Sequence, residues 1–332
     1  GEWIESHTLH MHLLNGPDFL GFESGLELGQ HFPDELKRGL RLKKIGNRLI
    51  EILGGRSVHP VNVCVGGFYQ PPNRQKLLDL LPDLKWGVEA AAAATRWVSS
   101  FHFPDFEQSY DLVSLTHPEE YPFCEGTMKS SRSGSFSVSS YEQILQEYQV
   151  PHSTALQIQK TETRSSCLFG PLARIFHNRE KLSPQARSLA DECNFPHDCN
   201  NPYRSIIARG LEVTHAFEEA IRVIQAYQTP QTARVSAEPR AGEGVSATEA
   251  PRGTLYHRYL LDESGKIELA IIIPPTSQNQ RQIELDLFAL LPGLLKHEES
   301  RIATECEKLI RTYDPCISCA THFLKLSVER GD

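Results

Sequence analysis

From Glu35 to Leu53 the apolar residues Leu36, Leu40, Ile45, Leu49, Ile52 and Leu53 fall near helical spacing, and Gly54 and Gly55 supply a stop signal. That period returns along the chain and makes α-helix the dominant expectation. Gln75–Val98 predicts a second helical run, interrupted near Pro82 and rich in alanine at Ala90–Ala94. Pro202 suits the first turn of a third helix, in which Ile206, Ile207, Leu211, Phe217, Ile221 and Ile224 line one broad face. Two more helical segments are expected near Arg281–Leu291 and Arg301–Tyr313. Leu255–Leu261 and Ile267–Ile273 flank the turn-forming Asp262-Glu263-Ser264-Gly265 and predict a β-hairpin. Ser109–Val150, rich in serine, predicts irregular structure with a short β excursion, and the polar Thr229–Gly244 predicts a loop. No internal repeat is present. The expected fold class is mainly α (α+β), a single helical domain over 1–332 with a small β portion near the end.

At 332 residues, 39% of them hydrophobic, the chain has ample length for a core. No apolar run approaches the roughly 20 residues that span a bilayer, so membrane insertion is not expected. A formal net charge of -8 argues against broad contact with phosphate backbones, so nucleic acid is a poor partner. Eight cysteines at mostly irregular spacing do not suggest a secreted disulfide framework, and no signal segment opens the chain. Cytoplasmic residence is the expectation. The sequence starts at Gly1, directly in amphipathic residues (Trp3, Ile4, Leu9, Leu13, Leu14), as if cut through an element.

Cys316 and Cys319 break the irregular spacing, standing two residues apart in Asp314-Pro315-Cys316-Ile317-Ser318-Cys319-Ala320-Thr321-His322. Two thiolates at that spacing can chelate one soft metal. Cysteine and histidine together favour zinc, iron–sulfur, copper or nickel over magnesium or calcium. The pair alone leaves the choice open. No second CxxC completes a zinc site, and no thioredoxin-like βαβ pattern surrounds it. Two incidental structural thiols are the plain alternative.

That nonapeptide resembles the C-terminal metal-binding motif of nickel–iron hydrogenase large subunits, and further matches follow the family's order. Gly54-Gly55-Arg56 with His59-Pro60 and Val65-Gly66-Gly67 resembles its central glycine- and histidine-bearing motif. Gly170-Pro171-Leu172-Ala173-Arg174 is similar to another. Glu249-Ala250-Pro251-Arg252-Gly253, with His257 beyond, is a characteristic signature, and Pro275-Thr276-Ser277-Gln278-Asn279 matches the segment after the hairpin. The resemblance spans essentially the whole chain. One departure matters: the family's N-terminal Arg-x-Cys-x-x-Cys, which supplies two more cysteine ligands, is missing. Glu5-Ser6-His7 and Leu9-His10 resemble the sequence just downstream of it, so an N-terminal truncation is expected.

The resemblance implies a nickel–iron centre with Cys316 as a terminal nickel ligand and Cys319 bridging nickel and iron. The iron would carry carbon monoxide and cyanide, supplied by maturation proteins. Arg252 would sit over the centre, donating to cyanide and polarising hydrogen, with Asp314 pairing to hold its plane. Thr276, or Ser277 in its place, would donate a hydroxyl to cyanide. His322 would bind a magnesium-like ion together with the backbone carbonyl of Ile272. Arg56 and His59 are expected near a contact with an iron–sulfur small subunit. The ordinary alternatives are a solvated Arg252, an Asp314 that only caps its helix, and an interior His59. Cys64, Cys124, Cys167, Cys193, Cys199 and Cys306 read as packing or incidental residues, with Cys306 on the apolar face of Ile302, Leu309 and Ile310.

The implied reaction is reversible heterolytic cleavage of hydrogen (H2). Its electrons would pass through the iron–sulfur clusters of the small subunit and then, through diaphorase subunits, to NAD(P). The subgroup most similar is the soluble, cytoplasmic NAD(P)-linked and sulfhydrogenase-like one. The chain shows no GxGxxG after a strand, so NAD(P) would bind a partner. A C-terminal endopeptidase is expected to cut between His322 and Phe323, removing Phe323–Asp332. Two rivals come from other classes: a non-catalytic paralogue of the quinone-site subunit of respiratory complex I, and a zinc-binding interaction module.

Overall fold

The computed structural model describes residues 1–315. Cys316, Cys319, His322 and the expected cleavage point after His322 lie outside the described residues.

The helices fall largely where apolar spacing predicts them. Helix α1 (Glu2–Leu9) runs into a π-helical turn over His10–Leu14. Helix α2 (Pro33–Gly54) stops at the expected glycine pair, and Pro82 sits in the first turn of α3 (Leu81–Ser99), after a short separate helix at Arg74–Asp79. Helix α4 (Pro171–Asn178) begins on the Gly-Pro of its motif. A single 3-10 turn at Pro202–Arg204 leads into α5 (Ser205–Ala226). Helices α6 (Pro275–Leu294) and α7 (Glu299–Thr312) follow, and shorter helices such as Pro184–Glu192 lie between these elements. The first three and α5 share one core: Ile4, Leu42, Leu84, Ala92, Ile206, Leu211 and Phe217 are all fully buried within it. Burying a large aliphatic or aromatic side chain contributes roughly 1.5–3 kcal/mol, so this shared core is the main source of helix stability. Among the described residues no helix is long and apolar enough to cross a membrane.

The β content is larger than expected and is not confined to the end of the chain. Strands β1 (Leu112–Thr116), β2 (Thr127–Ser130), β3 (Gly134–Phe136), β4 (Leu145–Gln149), β5 (Leu156–Lys160) and β6 (Leu168–Phe169) occupy the middle. They form a four-stranded sheet of order β3-β2-β1-β6 and a separate β4-β5 hairpin. The stretch Ser109–Val150 thus carries four short strands, β1 to β4, in place of the single β excursion expected, with irregular residues between them. Tertiary polar contacts are the reason: Asp111 accepts from Ser130 at 2.6 Å and from Ser131 at 3.3 Å, and it pairs with the buried Lys160. The hairpin is found as expected, with β8 (Gly253–Leu261) paired to β9 (Ile267–Ile273), but a further strand, β7 (Gly242–Ala250), lies on the other side of β8. The loop expected to reach Gly244 therefore ends earlier. The outer end of β7 is exposed, so its residues show no apolar alternation there. A second core of Val113, Leu115, Met128, Ile158, Phe169, Ala247, Tyr256 and Ile273 joins these strands.

Candidate active site

Three of the motifs meet at one place. Arg174, fully buried on α4, satisfies its whole donor set. Its Nε and Nη2 donate to the two oxygens of Glu212 on α5, each at 2.7 Å, and Nη1 donates to Glu249 at 3.0 Å. The other two bonds reach backbone carbonyls, Ala250 at 2.9 Å and Pro251 at 2.9 Å, which directly precede Arg252. Arg174 therefore holds the turn that carries Arg252. The carboxylates are held in turn: Tyr121 donates to Glu212, His7 Nε2 lies 2.9 Å from its other oxygen, and Leu115 N–H and Thr254 donate to Glu249. Trp3 lies under the Arg174 guanidinium at 4.4 Å and donates to the Glu249 carbonyl.

The third motif fastens the same turn from α6. Asn279 accepts from Phe169 N–H at 2.8 Å and donates back to its carbonyl, while Gln278 donates to the Thr254 carbonyl. Two glycines make this convergence possible. Gly170 (φ +109) and Gly253 (φ +141) both hold backbone conformations that side chains disfavour. A Cβ on Gly170 would stand 2.8 Å from the Arg252 carbonyl oxygen, and one on Gly253 would stand 3.0 Å from the Phe169 Cβ. Pro275 also borders Gly253, so the N-terminus of α6, with Thr276 and Ser277 in its first turn, abuts the Arg252 turn. The N-terminus of a helix favours anions.

The end of α7 closes the site. Each of its last residues is tied to a different element. His10 Nε2 donates to the Arg311 carbonyl at 2.7 Å, and Ser205 donates to the Thr312 carbonyl at 2.9 Å. Tyr313 and Tyr110 both donate to Asp286. Asp314, at φ +50 and 1% exposed, accepts from Arg252 Nε through its backbone carbonyl at 2.7 Å. Its carboxylate lies 3.5 Å from the same Nε. Arg252 and Asp314 are thus brought together two residues before Cys316. The principal bond is to the carbonyl rather than, as expected, to the carboxylate.

Burial governs the electrostatics here. It would raise the Glu212 carboxyl, but the Arg174 ion pair and hydrogen bonds, helped by His7, hold it down at about 2. For Glu249 burial wins, and its carboxyl is raised despite Arg174. Burial lowers His7, His12 and His215 to about 4, and His10 well below its usual range. In the unfolded chain these rings take up protons near the ordinary value of 6.5; folded, they resist until about 4 or below. Their contribution is therefore fully present above about pH 6.5 and is lost as pH falls toward 4, by up to about 1.4 kcal/mol per pH unit for each ring. The raised carboxyls of Glu249 and Asp286 offset part of that slope. Urea unfolding should show a markedly lower midpoint at pH 5.5 than at pH 7.5. Equal midpoints would mean that these histidines are not held neutral.

Residues 165–322 match the family described as nickel-dependent hydrogenase. The sulfhydrogenase 1 subunit alpha of Pyrococcus furiosus is 29% identical, over 98% of this chain and 76% of its own length. Over its second half the chain is similar to the nickel-dependent hydrogenase family, and over nearly its whole length to a hydrogenase alpha subunit. The NAD-reducing hydrogenase HoxS subunit beta of Cupriavidus necator is 24% identical over 97% of this chain and 74% of its own. In fold, the chain is similar to the crystal structure of an NAD+-reducing [NiFe]-hydrogenase in the H2-reduced state, with a TM-score of 0.80 at 20% identity, covering 96% of this chain and 77% of that one.

Against the family motifs, Thr276 and Ser277 sit in the first turn of α6, half-buried, and the Ser277 hydroxyl donates to the Pro274 carbonyl of its own helix. Ile272 lies on β9 opposite His257, its residue 52% exposed. Arg56 and His59 are exposed, so His59 is not an interior histidine, and their motif does not join the Arg252 cluster; Gly66 and Gly67 pack on the segment around Val235. Cys306 is buried on the predicted face with Ile302 and Leu309. Among the described residues no group of three or more His, Cys, Asp or Glu is placed to hold a metal ion. Glu212 and Arg209, both buried on α5, were not singled out by sequence reasoning. A usable signal was there: from Ser205 to Phe217 they are the only Arg, Lys, Asp or Glu residues in an otherwise largely apolar run.

Proposed function

We propose that this chain is the hydrogen-cleaving subunit of a multisubunit nickel–iron hydrogenase, with Cys316 and Cys319 holding the metals beside Arg252. One observation carries the reading: three family motifs and the end of α7 close on Arg252, and the backbone that this arginine binds leads within two residues to Cys316. The residues present suit an anionic, thiolate-held group. Gly170 and Gly253 allow close backbone approach, a helix N-terminus lies alongside, and a guanidinium is held at the rim. When bound, the nickel–iron centre with its carbon monoxide and cyanide would supply the redox chemistry of hydrogen cleavage.

This chain's own residues orient and hold. Arg174 fixes the carbonyls ahead of Arg252, and Asp314 takes up its Nε. Both Nη atoms of Arg252 are left to donate to the bound group or to polarise its substrate. The side chain of Asp314 keeps the guanidinium plane in place. Thr276 is the hydroxyl donor we favour, with Ser277, whose hydroxyl donates to the Pro274 carbonyl, as its near-equal competitor. His322 with the Ile272 carbonyl is our proposal for the magnesium-like ion.

Arg252→Lys should keep metal content near normal yet lower hydrogen oxidation severely, since an ammonium cannot bind Asp314 and the metal group in one plane. Near-normal turnover with metals in place would remove Arg252 from the mechanism. We further infer an iron–sulfur small subunit docking where Val58, Val61, Val65 and Tyr69 stand exposed beside Arg56 and His59. Diaphorase subunits passing electrons to NAD(P) are proposed from the names of the relatives. Cytoplasmic residence accords with six free cysteines among the described residues. Nickel and iron analysis of the assembled enzyme, together with hydrogen-dependent dye reduction, tests the whole reading. Zinc alone, or no nickel, would overturn it.

A further inference from the structure

We propose that Arg209 is a second cationic binding residue for the anionic metal group, approaching it from α5 while Arg252 approaches from the turn before β8; this rests on the metal-site reading above. Among the described residues three arginines are fully buried: Arg174, Arg209 and Arg311. Two of them are neutralised by carboxylates that accept two bonds each, Arg174 by Glu212 and Arg311 by Asp18 at 2.8 and 2.7 Å. Among the described residues Arg209 has no such partner. Its one hydrogen bond is Nη1 to the Ser205 carbonyl, a turn back on its own helix and long at 3.4 Å, and its Nε has no acceptor. A buried guanidinium left in this condition is strongly unfavourable unless the working state supplies an anion.

Position identifies the anion. Arg209 lines a cavity of about 20 Å³ with Ser205, Pro171, Thr312 and Tyr313, against the segment that leads to Cys316. Asp314 is the strongest opposite charge acting on it, yet no ion pair links the two. Burial lowers the Arg209 guanidinium to about 10, and it remains a full cation at neutral pH. Cys316 and Cys319 follow Asp314 by two and five positions in sequence, and in the proposed site their thiolates, with the metals and cyanides, would make up the anionic group that the two guanidiniums face. The cavity is large enough for one water, which would satisfy a single N–H and leave the charge unbalanced.

The test compares Arg209→Met and Arg209→Lys in the complete enzyme. Three quantities are read: nickel per subunit, the infrared bands of the iron-bound cyanide, and the unfolding temperature of large subunit from nickel-starved cells. Arg209→Met should retain about 10- to 100-fold less nickel at limiting supply, and any loaded fraction should show shifted cyanide bands. Arg209→Lys should load nickel close to normally. Nickel-free Arg209→Met should unfold at or above the temperature of nickel-free wild type, because an unpartnered buried charge is gone. A merely structural arginine would give the opposite sign, lowering that temperature, and this result overturns the proposal. Wild-type nickel content with unshifted bands in Arg209→Met overturns it as well. A wild-type enzyme without nickel would instead refute the metal-site reading itself, and this inference with it.

Discussion

Arg174→Met is expected to destabilise the chain by about 3–5 kcal/mol, the range for breaking a buried ion pair from one side. The substitution leaves Glu212 and Glu249, both fully enclosed, without their shared cation. It also strips two donors from the Ala250 and Pro251 carbonyls. Glu212 would suffer more, since its carboxyl is held near 2 largely by this arginine, whereas that of Glu249 is already raised. Urea unfolding of wild type and variant gives the loss directly. Amide exchange should show the turn from Ala250 to Thr254 opening more than the ends of β8 and β9. Adding Glu212→Gln to Arg174→Met should recover part of the loss, because one uncompensated charge is then removed. A single variant within about 1 kcal/mol of wild type would mean that the network is not what holds the Arg252 turn.

Cys316→Ser and Cys319→Ser should each abolish nickel retention and reduce hydrogen turnover below detection in the complete enzyme. A serine oxygen is a hard donor with a proton that is difficult to remove, and soft thiolate is the ligand nickel selects. Cys124→Ser supplies the contrast. Cys124 is free and exposed, and its replacement should leave both properties unchanged. Nickel retained at wild-type level in either Cys316→Ser or Cys319→Ser would take that residue out of the metal site.

The sequence by itself determined the elements whose information is local. Helix α2 was legible because Leu36, Leu40, Ile45 and Leu49 record one buried face and Gly54 and Gly55 its end; β8 and β9 were legible from two apolar runs around Asp262–Gly265. For Cys316, Cys319 and Arg252, residue type and spacing within a motif supply the proposal of a metal site. Tertiary structure decided the rest. The strands from Leu112 to Gln149 take their order from Asp111 and Lys160, 49 positions apart, and serine-rich segments show no periodicity of their own. Arg174 meets its carboxylates 38 and 75 positions away, so its part in holding Arg252 is invisible along the chain. That Asp314 answers Arg252 chiefly through its carbonyl follows from a backbone conformation at φ +50 that its residue type does not dictate. Arg209 differs from Arg174 and Arg311 only in what surrounds it. Apolar periodicity reports which face of an element is buried, since burial depends on the side chain itself. A buried charge is defined by its partner, and only folding brings the partner near.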